Sequence, residues 1–409
     1  MASNRRNSVR RKGKGKEDCG QAPKKDGLKN MKLIVMPEDT MNGHISLSTV
    51  VNRLKLKRGD ISDAVRKVNS TVDTILKSDA IATHPLFHRM EDIGSGSYYE
   101  HLKIIKPNEF DIMLTLSVGR LQLKSYGESG AFYTLSFKRL PAARHPLKKY
   151  LDDEGNISAQ KIMCDLRCII KDIIKKLDIP VTIARKKRYS PAITLIFPNE
   201  PDSISVDLVL ALKPQGSWPA STKGGLDIKN WLGTKVRREL RWKPFYLVAK
   251  QPIGEKNAKV ETWRLSFSTI EKEIIKNHGQ RKTCCENKED TCCRKSCLKL
   301  LKCLLELLKE NHKRLHQFCS YHAKTAFLHC CTKYPRDTQW NVKDLEICFD
   351  RLVDYFLNCL ESAYLPNFFI PSYNHFGSEF IGGSLAFLNS KLVSEKTQGY
   401  PVFNSLFKL

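Results

Sequence analysis

Gly94-Ser95-Gly96-Ser97-Tyr98-Tyr99, followed by Pro107-Asn108-Glu109-Phe110-Asp111-Ile112-Met113-Leu114, is the stretch on which the fold turns. Side chains alternate across a strand, so Glu109 and Asp111 share one face while Phe110, Ile112 and Leu114 point to the other, into a core. Two neighbouring carboxylates repel unless a cation compensates them, and Mg²⁺ prefers such oxygen ligands together with substrate phosphates. The Gly-Ser turn upstream offers backbone N–H groups and hydroxyls at a place where glycine lets a phosphate come close. A third acid, Asp207, sits in the apolar run Ile204-Ser205-Val206-Asp207-Leu208-Val209-Leu210. An isolated charge there is costly to desolvate, which points to a third metal ligand or a base. The plainer alternative is a hydrogen-bonded structural Asp.

Around this stretch the chain has 409 residues, with 69 Lys+Arg against 43 Asp+Glu and a net charge of +26. An ordinary acidic enzyme is excluded, and a polyanionic partner is expected, either nucleic acid or an acidic membrane surface. A hydrophobic content of 41% is enough for a sizeable core. No apolar run reaches the roughly 18 residues of a membrane span, and no hydrophobic segment follows the N-terminal Arg cluster, so neither a span nor a secretory signal is expected. The expected setting is the reducing cytosol or the nucleus. There the 14 cysteines point to metal ligation rather than disulfides.

Three parts are expected. Residues 1–29 read as a disordered basic arm. Residues 30–225 read as an α+β core. Its long helix carries Leu54, Ile61, Val65, Val68, Val72, Ile75 and Leu76 on one side, with Lys55, Arg58 and Arg66 beside that stripe. Strands are predicted at 110–116, 131–137, 192–197 and 204–212, and a helix at 159–177 with Ile162, Met163, Leu166, Ile169, Ile170, Ile173 and Leu177 on one face. Residues 226–409 read as a helical lobe, with helices at 298–308, 322–331 and 345–360. Cys164, Cys303, Cys348 and Cys359 fall on apolar helical faces and read as packing residues.

The second chemical cluster runs from Asn277 to Cys293. His278 with three cysteines would satisfy a closed Cys₃His zinc site that folds a polar loop, at 278–293. Five cysteines between Cys284 and Cys297 overfill the positions, so residue types leave the ligand choice open. Lys272, Lys276, Arg281, Lys282, Lys288, Arg294, Lys295 and Lys299 surround the loop, a charge density suited to gripping duplex phosphates by shape rather than sequence.

A Gly-Ser turn, two acids on one strand and a third on a later strand resemble the nucleotidyltransferase superfamily. Within it the chain is similar to the cyclic GMP-AMP synthase family, from about residue 54 to 403. The blocks that carry this are Gly96-Ser97-Tyr98-Tyr99-Glu100-His101, Ser217-Trp218-Pro219-Ala220-Ser221-Thr222, Lys243-Pro244-Phe245-Tyr246-Leu247-Val248 and Glu261-Thr262-Trp263-Arg264-Leu265-Ser266-Phe267. The resemblance implies a bilobal α+β nucleotidyltransferase fold: a mixed central sheet plus a helical C-terminal lobe with an inserted zinc loop. Glu109, Asp111 and Asp207 would hold two catalytic Mg²⁺ or Mn²⁺ ions, with Asp207 assisting deprotonation of the attacking hydroxyl. His278, Cys284, Cys285 and Cys292 would hold one structural Zn²⁺. Ser95, Gly96, Ser97, Lys250, Arg264, Ser266, Lys302, Ser320 and Tyr321 would line the nucleotide pocket, Tyr321 stacking on a base and Arg264 bonding guanine.

Lys55, Arg58, Lys235, Lys272, Lys282, Lys295 and Lys299 would bind double-stranded DNA, with Lys235 and Lys282 forming a second contact used in a 2:2 homodimeric assembly. ATP and GTP would be joined into a cyclic GMP-AMP with one 2′-5′ and one 3′-5′ linkage, an innate immune second messenger, when DNA is bound. Nucleosomes, and membranes through the N-terminal arm, are further expected partners. The rival readings are a double-stranded-RNA-activated 2′-5′-oligoadenylate synthetase and a catalytically inactive zinc-bearing DNA-binding module.

Overall fold

The computed structural model describes residues 45–56, 58–106, 108–139, 141–185, 190–198, 202–252, 260–280, 292–377, 380 and 383–407, with only the backbone of Arg58, Asp60 and Ile61. The basic arm at 1–29 lies outside the described residues. The strands in chain order are β1 (Glu91–Ser95), β2 (Glu109–Val118), β3 (Leu121–Tyr126), β4 (Phe132–Phe137), β5 (Thr182–Ile183), β6 (Ala192–Phe197), β7 (Ile204–Pro214), β8 (Tyr246–Ala249) and β9 (Trp263–Ser266). The α-helices are α1 (Leu47–Arg53), α2 (Arg58–Leu76), α3 (Asp79–Ala82), α4 (Gly96–Tyr99), α5 (Ala159–Lys176), α6 (Thr234–Trp242), α7 (Ser268–Lys276), α8 (Arg294–Asn311), α9 (Ser320–Lys333), α10 (Leu345–Glu361) and α11 (Ser384–Thr397).

The strands make one mixed sheet in the order β1-β2-β7-β8-β9-β4-β3. β2 and β7 pair in parallel along their length, and β1 pairs antiparallel with β2. The other edge of β7 is shared, with residues 204–209 pairing with β6 and residues 211–212 with β8. The alternation predicted for β2 and β7 is what makes this centre. Phe110, Ile112, Leu114, Val206, Leu208 and Leu210 are buried on one face, while Glu109, Asp111, Ser205 and Asp207 are less buried on the other.

α5 begins at the Ser158 cap, whose hydroxyl accepts from the Lys161 N–H at 3.1 Å. It buries Ile162, Met163, Leu166, Ile170 and Ile173. Each buried side chain of this size contributes about 2 kcal/mol. Leu177, expected on that face, lies just past the last helical turn and is exposed, and Cys164 points outward from α5. The packing role holds for Cys303, Cys348 and Cys359, which are buried.

The family blocks assemble around the sheet. Glu261 accepts from the Ser158 hydroxyl and the Gln160 N–H, fixing the start of α5, and the Trp263 indole donates to Ile157 O at 2.9 Å. Trp218 donates to Lys243 O at 2.8 Å, tying two blocks together. The stretch beyond residue 226 thus supplies β8 and β9 as well as helices. α8 is apolar almost all round, and Leu298, Leu301, Leu305 and Leu308 are buried against its helical neighbours, as expected of a central helix.

The single helix expected over 54–76 is two. α1 ends at Leu54, where the Lys55 N–H bonds back to Asn52 O at 3.3 Å, a tightened last turn, and the Lys55 ammonium donates to Asn52 Oδ1 at 2.8 Å. α2 starts at Arg58, so Lys55 stands between the helices. Leu54 is fully buried, which keeps the periodicity running across a break in the backbone.

Candidate active site

The parallel register of β2 and β7 sets Asp111 beside Asp207, and the antiparallel register of β1 sets Ser95 opposite Asp111. The Ser95 hydroxyl donates to Asp111 O at 3.3 Å. Gly96 then turns the chain at φ +73°, so close to the acid that a Cβ there would lie 1.9 Å from Asp111 Oδ2. Glycine is required at this position on both counts.

Burial, then the negative charges of Asp207 and Glu109, push the Asp111 carboxyl up to about 6, against the opposing pull of Lys103 and Lys324. Lys103 holds Glu109 Oε2 at 2.8 Å, and the Thr194 hydroxyl donates to Asp207 Oδ1 at 2.5 Å. With those partners in place, no group of three His, Cys, Asp or Glu among the described residues is already gathered on one point for a metal. The donor set nevertheless suits a hard divalent cation: three carboxylates on one face, one of them resisting ionisation until positive charge arrives.

A cleft of about 410 Å³ opens over this face. Ser95, Gly96, Ser97, Glu109 and Asp111 line it. Arg264, Ser266, Lys302, Ser320 and Tyr321 line it as well. The Lys302 ammonium donates to Leu102 O at 2.8 Å, and burial lowers its pKa to about 8. The Tyr321 hydroxyl donates to Glu271 Oε1 at 2.7 Å. Burial, then the Glu271 charge, raises this phenol far above its ordinary range. Two residues of the sequence reading lie outside the cleft lining. Asp207 is not part of that lining, although Val209 of the same strand is. Lys250 lines a neighbouring cavity of about 310 Å³ with Met163, Arg167 and Gln251, and the Arg264 charge, then burial, lowers its pKa to about 8.

Residues 98–277 match the Mab-21 protein nucleotidyltransferase domain, and residues 293–393 the Mab-21 protein HhH/H2TH-like domain. The Cyclic GMP-AMP synthase of Mus musculus is 48% identical over 362 residues, covering 88% of this chain and 71% of the relative. That of Sus scrofa is 48% identical over 365 residues, covering 88% and 73%. The chain belongs to the cyclic GMP-AMP synthase family. It is a nucleotidyltransferase of α+β fold, and enzymes of this kind work with divalent metal.

In this cyclic GMP-AMP synthase family member two of the four residues expected to hold zinc, His278 and Cys292, are among the described residues and lie side by side. His278 is buried, its Nδ1 donates to Ile275 O at 2.8 Å, and its Nε2 lies 3.1 Å from Cys292 Sγ. The bond to the Ile275 carbonyl puts the ring proton on Nδ1 and turns Nε2 toward Cys292. Cys284, Cys285 and Lys282 lie outside the described residues.

The basic residues gather at one place. Lys299 is lowered by burial, then by Lys295 and Lys55, and the imidazole of His101 by burial, then by Lys295, Lys299, Lys276 and Lys272. His101 directly follows α4, so this positive surface abuts the Gly-Ser segment. Lys272 reaches that segment, donating to Gly94 O at 3.0 Å beside the Tyr99 ring. Lys235 is exposed on α6, and the Arg58 side chain is not described.

Sequence reasoning missed Lys103, Thr194, Glu100, Glu271 and Lys324. The signal for the last two was a charged residue on the buried face of a helix, Glu271 between Ile270 and Ile274 and Lys324 between Ala323 and Thr325.

Proposed function

We propose that the protein joins ATP and GTP into a cyclic GMP-AMP with one 2′-5′ and one 3′-5′ linkage when double-stranded DNA is bound, and that this product serves as an innate immune second messenger in the cytosol and nucleus. The observation that carries the reading is the reach of the basic surface to the Gly94–Ser97 segment, where the Lys272 ammonium donates to Gly94 O at 3.0 Å. Phosphates bound on that surface act directly on the segment that approaches Asp111.

In the cleft, Ser95, Ser97 and the backbone around Gly96 bind the triphosphate. Lys302 stands nearby with no carboxylate bonded to its ammonium among the described residues, so its charge is available to a phosphate. Tyr321 stacks on a base, and Arg264 orients the guanine. Glu109, Asp111 and Asp207 would hold two Mg²⁺ or Mn²⁺ ions, which neutralise charge on the transferred phosphoryl group and the leaving pyrophosphate. Asp207 draws the proton from the attacking hydroxyl. Zn²⁺ on His278, Cys284, Cys285 and Cys292 stiffens the loop that meets DNA. Lys235, Lys272 and Lys282 add phosphate contacts, and Lys235 with Lys282 serves a second duplex in a 2:2 assembly. Nucleosomes are a further partner through the same phosphate chemistry, and the N-terminal arm contacts anionic membranes.

Mass spectrometry of products formed from ATP, GTP and Mg²⁺, with linkage-specific nuclease digestion, tests this reading. DNA-dependent cyclic GMP-AMP carrying a 2′-5′ bond is expected. Linear oligoadenylate would replace the reading with an RNA-activated synthetase, and no product from folded protein would leave a DNA-binding module. The surface has its own test. Lys295→Glu with Lys299→Glu is expected to cut DNA-stimulated synthesis by at least about tenfold with an unchanged melting curve. Full stimulation in that variant would remove this face from the DNA interface.

A further inference from the structure

We propose that Lys324 is a positioning residue that locks the phosphate-binding end of the cleft to its base-binding end, so that the two move as one unit. The contacts form an unbroken line. Glu100 closes α4, and its N–H bonds to Gly96 O at 3.1 Å. Its carboxylate Oε1 accepts from the Lys324 ammonium at 2.8 Å. The same ammonium donates to Glu271 Oε2 at 2.6 Å, and Glu271 Oε1 accepts from the Tyr321 hydroxyl at 2.7 Å. The line thus runs from the Gly96 backbone through α4, α9 and α7 and returns to the Tyr321 ring.

The side chains of Glu100 and Glu271 are 2% and 4% exposed and that of Lys324 13%. Ion pairs this deep add little net stability compared with apolar packing, because desolvation cancels most of their attraction. They do impose geometry: a buried carboxylate cannot leave the cation bonded to it without a large penalty, so every member is held in one place. Stability alone gives no reason for three charges here, whereas registry does. Apolar residues of similar volume would hold the helices together but would not fix the Tyr321 hydroxyl to the segment bearing Ser97. Bases and phosphates of one nucleotide must be held at a set separation, and this line sets it.

The inference rests on the proposed placement of the triphosphate at Ser97 and a base on Tyr321. The test is a mutant cycle read as kcat/KM for pyrophosphate release from ATP and GTP, with Mg²⁺ and double-stranded DNA present. Ser97→Ala and Tyr321→Ala together are expected to differ from the product of the single effects by at least about fivefold, the behaviour of coupled residues. In a Glu100→Ala background that discrepancy is expected to shrink to within about twofold. Glu100→Gln, which can still accept from Lys324, is expected to restore it. A merely structural Glu100 would lower all four activities and leave the discrepancy intact, which overturns the inference, as does additivity in the parent. Should Glu100→Ala fail to fold, Lys324→Met, which has no donor, cuts the line from the other side. Either single substitution at Ser97 or Tyr321 leaving kcat/KM unchanged would overturn the nucleotide placement itself, a failure distinct from loss of coupling.

Discussion

Asp111→Asn is expected to abolish nucleotidyl transfer, by at least about 10³-fold, and at the same time to raise the melting temperature of the metal-free protein at pH 7. The first effect follows from removing a carboxylate on which both charge neutralisation and substrate placement depend. The second follows from the pKa of the native group, pushed up from its ordinary 3.8 to about 6 by burial and by the Asp207 and Glu109 charges. A raised carboxyl pKa means the folded state binds the proton more tightly than the unfolded chain. Stability of the metal-free protein therefore falls as pH rises between about 4 and 6, and the whole penalty, on the order of 3 kcal/mol, is present above that window. Asn has no proton to lose and escapes it. Thermal melts at pH 7 and at pH 4 check this: the variant's advantage is expected at the first and absent at the second. A variant less stable than the parent at pH 7 would show that the carboxylates do not repel as the geometry requires. Saturating Mg²⁺ should raise the parent's melting temperature and leave the variant nearly unmoved.

Gly96→Ala is expected to lower kcat by about 10²-fold, the size of effect that a displacement near 1 Å produces at a reacting centre. Two causes act together. The backbone there is at φ +73°, which costs a side-chain-bearing residue about 1 kcal/mol, and the new methyl group would fall 1.9 Å from Asp111 Oδ2. Either the turn or the acid has to move. Gly127 separates the causes, since it sits at φ +68° with nothing within 4 Å of its added Cβ. Gly127→Ala carries the backbone strain alone and should lose similar stability but little activity. Comparable kinetic losses in the two variants would mean that contact with Asp111 is not what the glycine protects.

Where a functional group depends on local alternation, the sequence was readable. Glu109 and Asp111 were assigned to one face from period two alone, and Asp207 from the cost of a charge in an apolar strand. That Asp207 would stand beside Asp111 could not be read from either stretch, because the pairing is parallel and joins segments far apart in the chain. The shared edge of β7 was equally hidden. β8 and β9 are four residues each, too short for periodicity to register, and they lie between helices. The break before α2 escaped for the opposite reason: Leu54 stays buried through it, so the apolar stripe continues where the hydrogen bonds do not. The line from Glu100 to Tyr321 escaped because its members come from three segments far apart in the chain, the end of α4, α7 and α9. The basic cluster was legible in composition, but its position against His101 needed the fold.

The parallel union of β2 with β7 also bears on how an active molecule comes into being during synthesis. Asp111 leaves the ribosome long before Asp207, and the intervening chain includes all of α5. Such distant pairing forms late, since closing a long loop precedes any gain from the contacts it allows. A nascent chain halted before Ile204 lacks the third acid, Asp207, and one halted before Ser320 has no Tyr321. The three carboxylates of the site are thus brought together only after more than half of the chain has emerged.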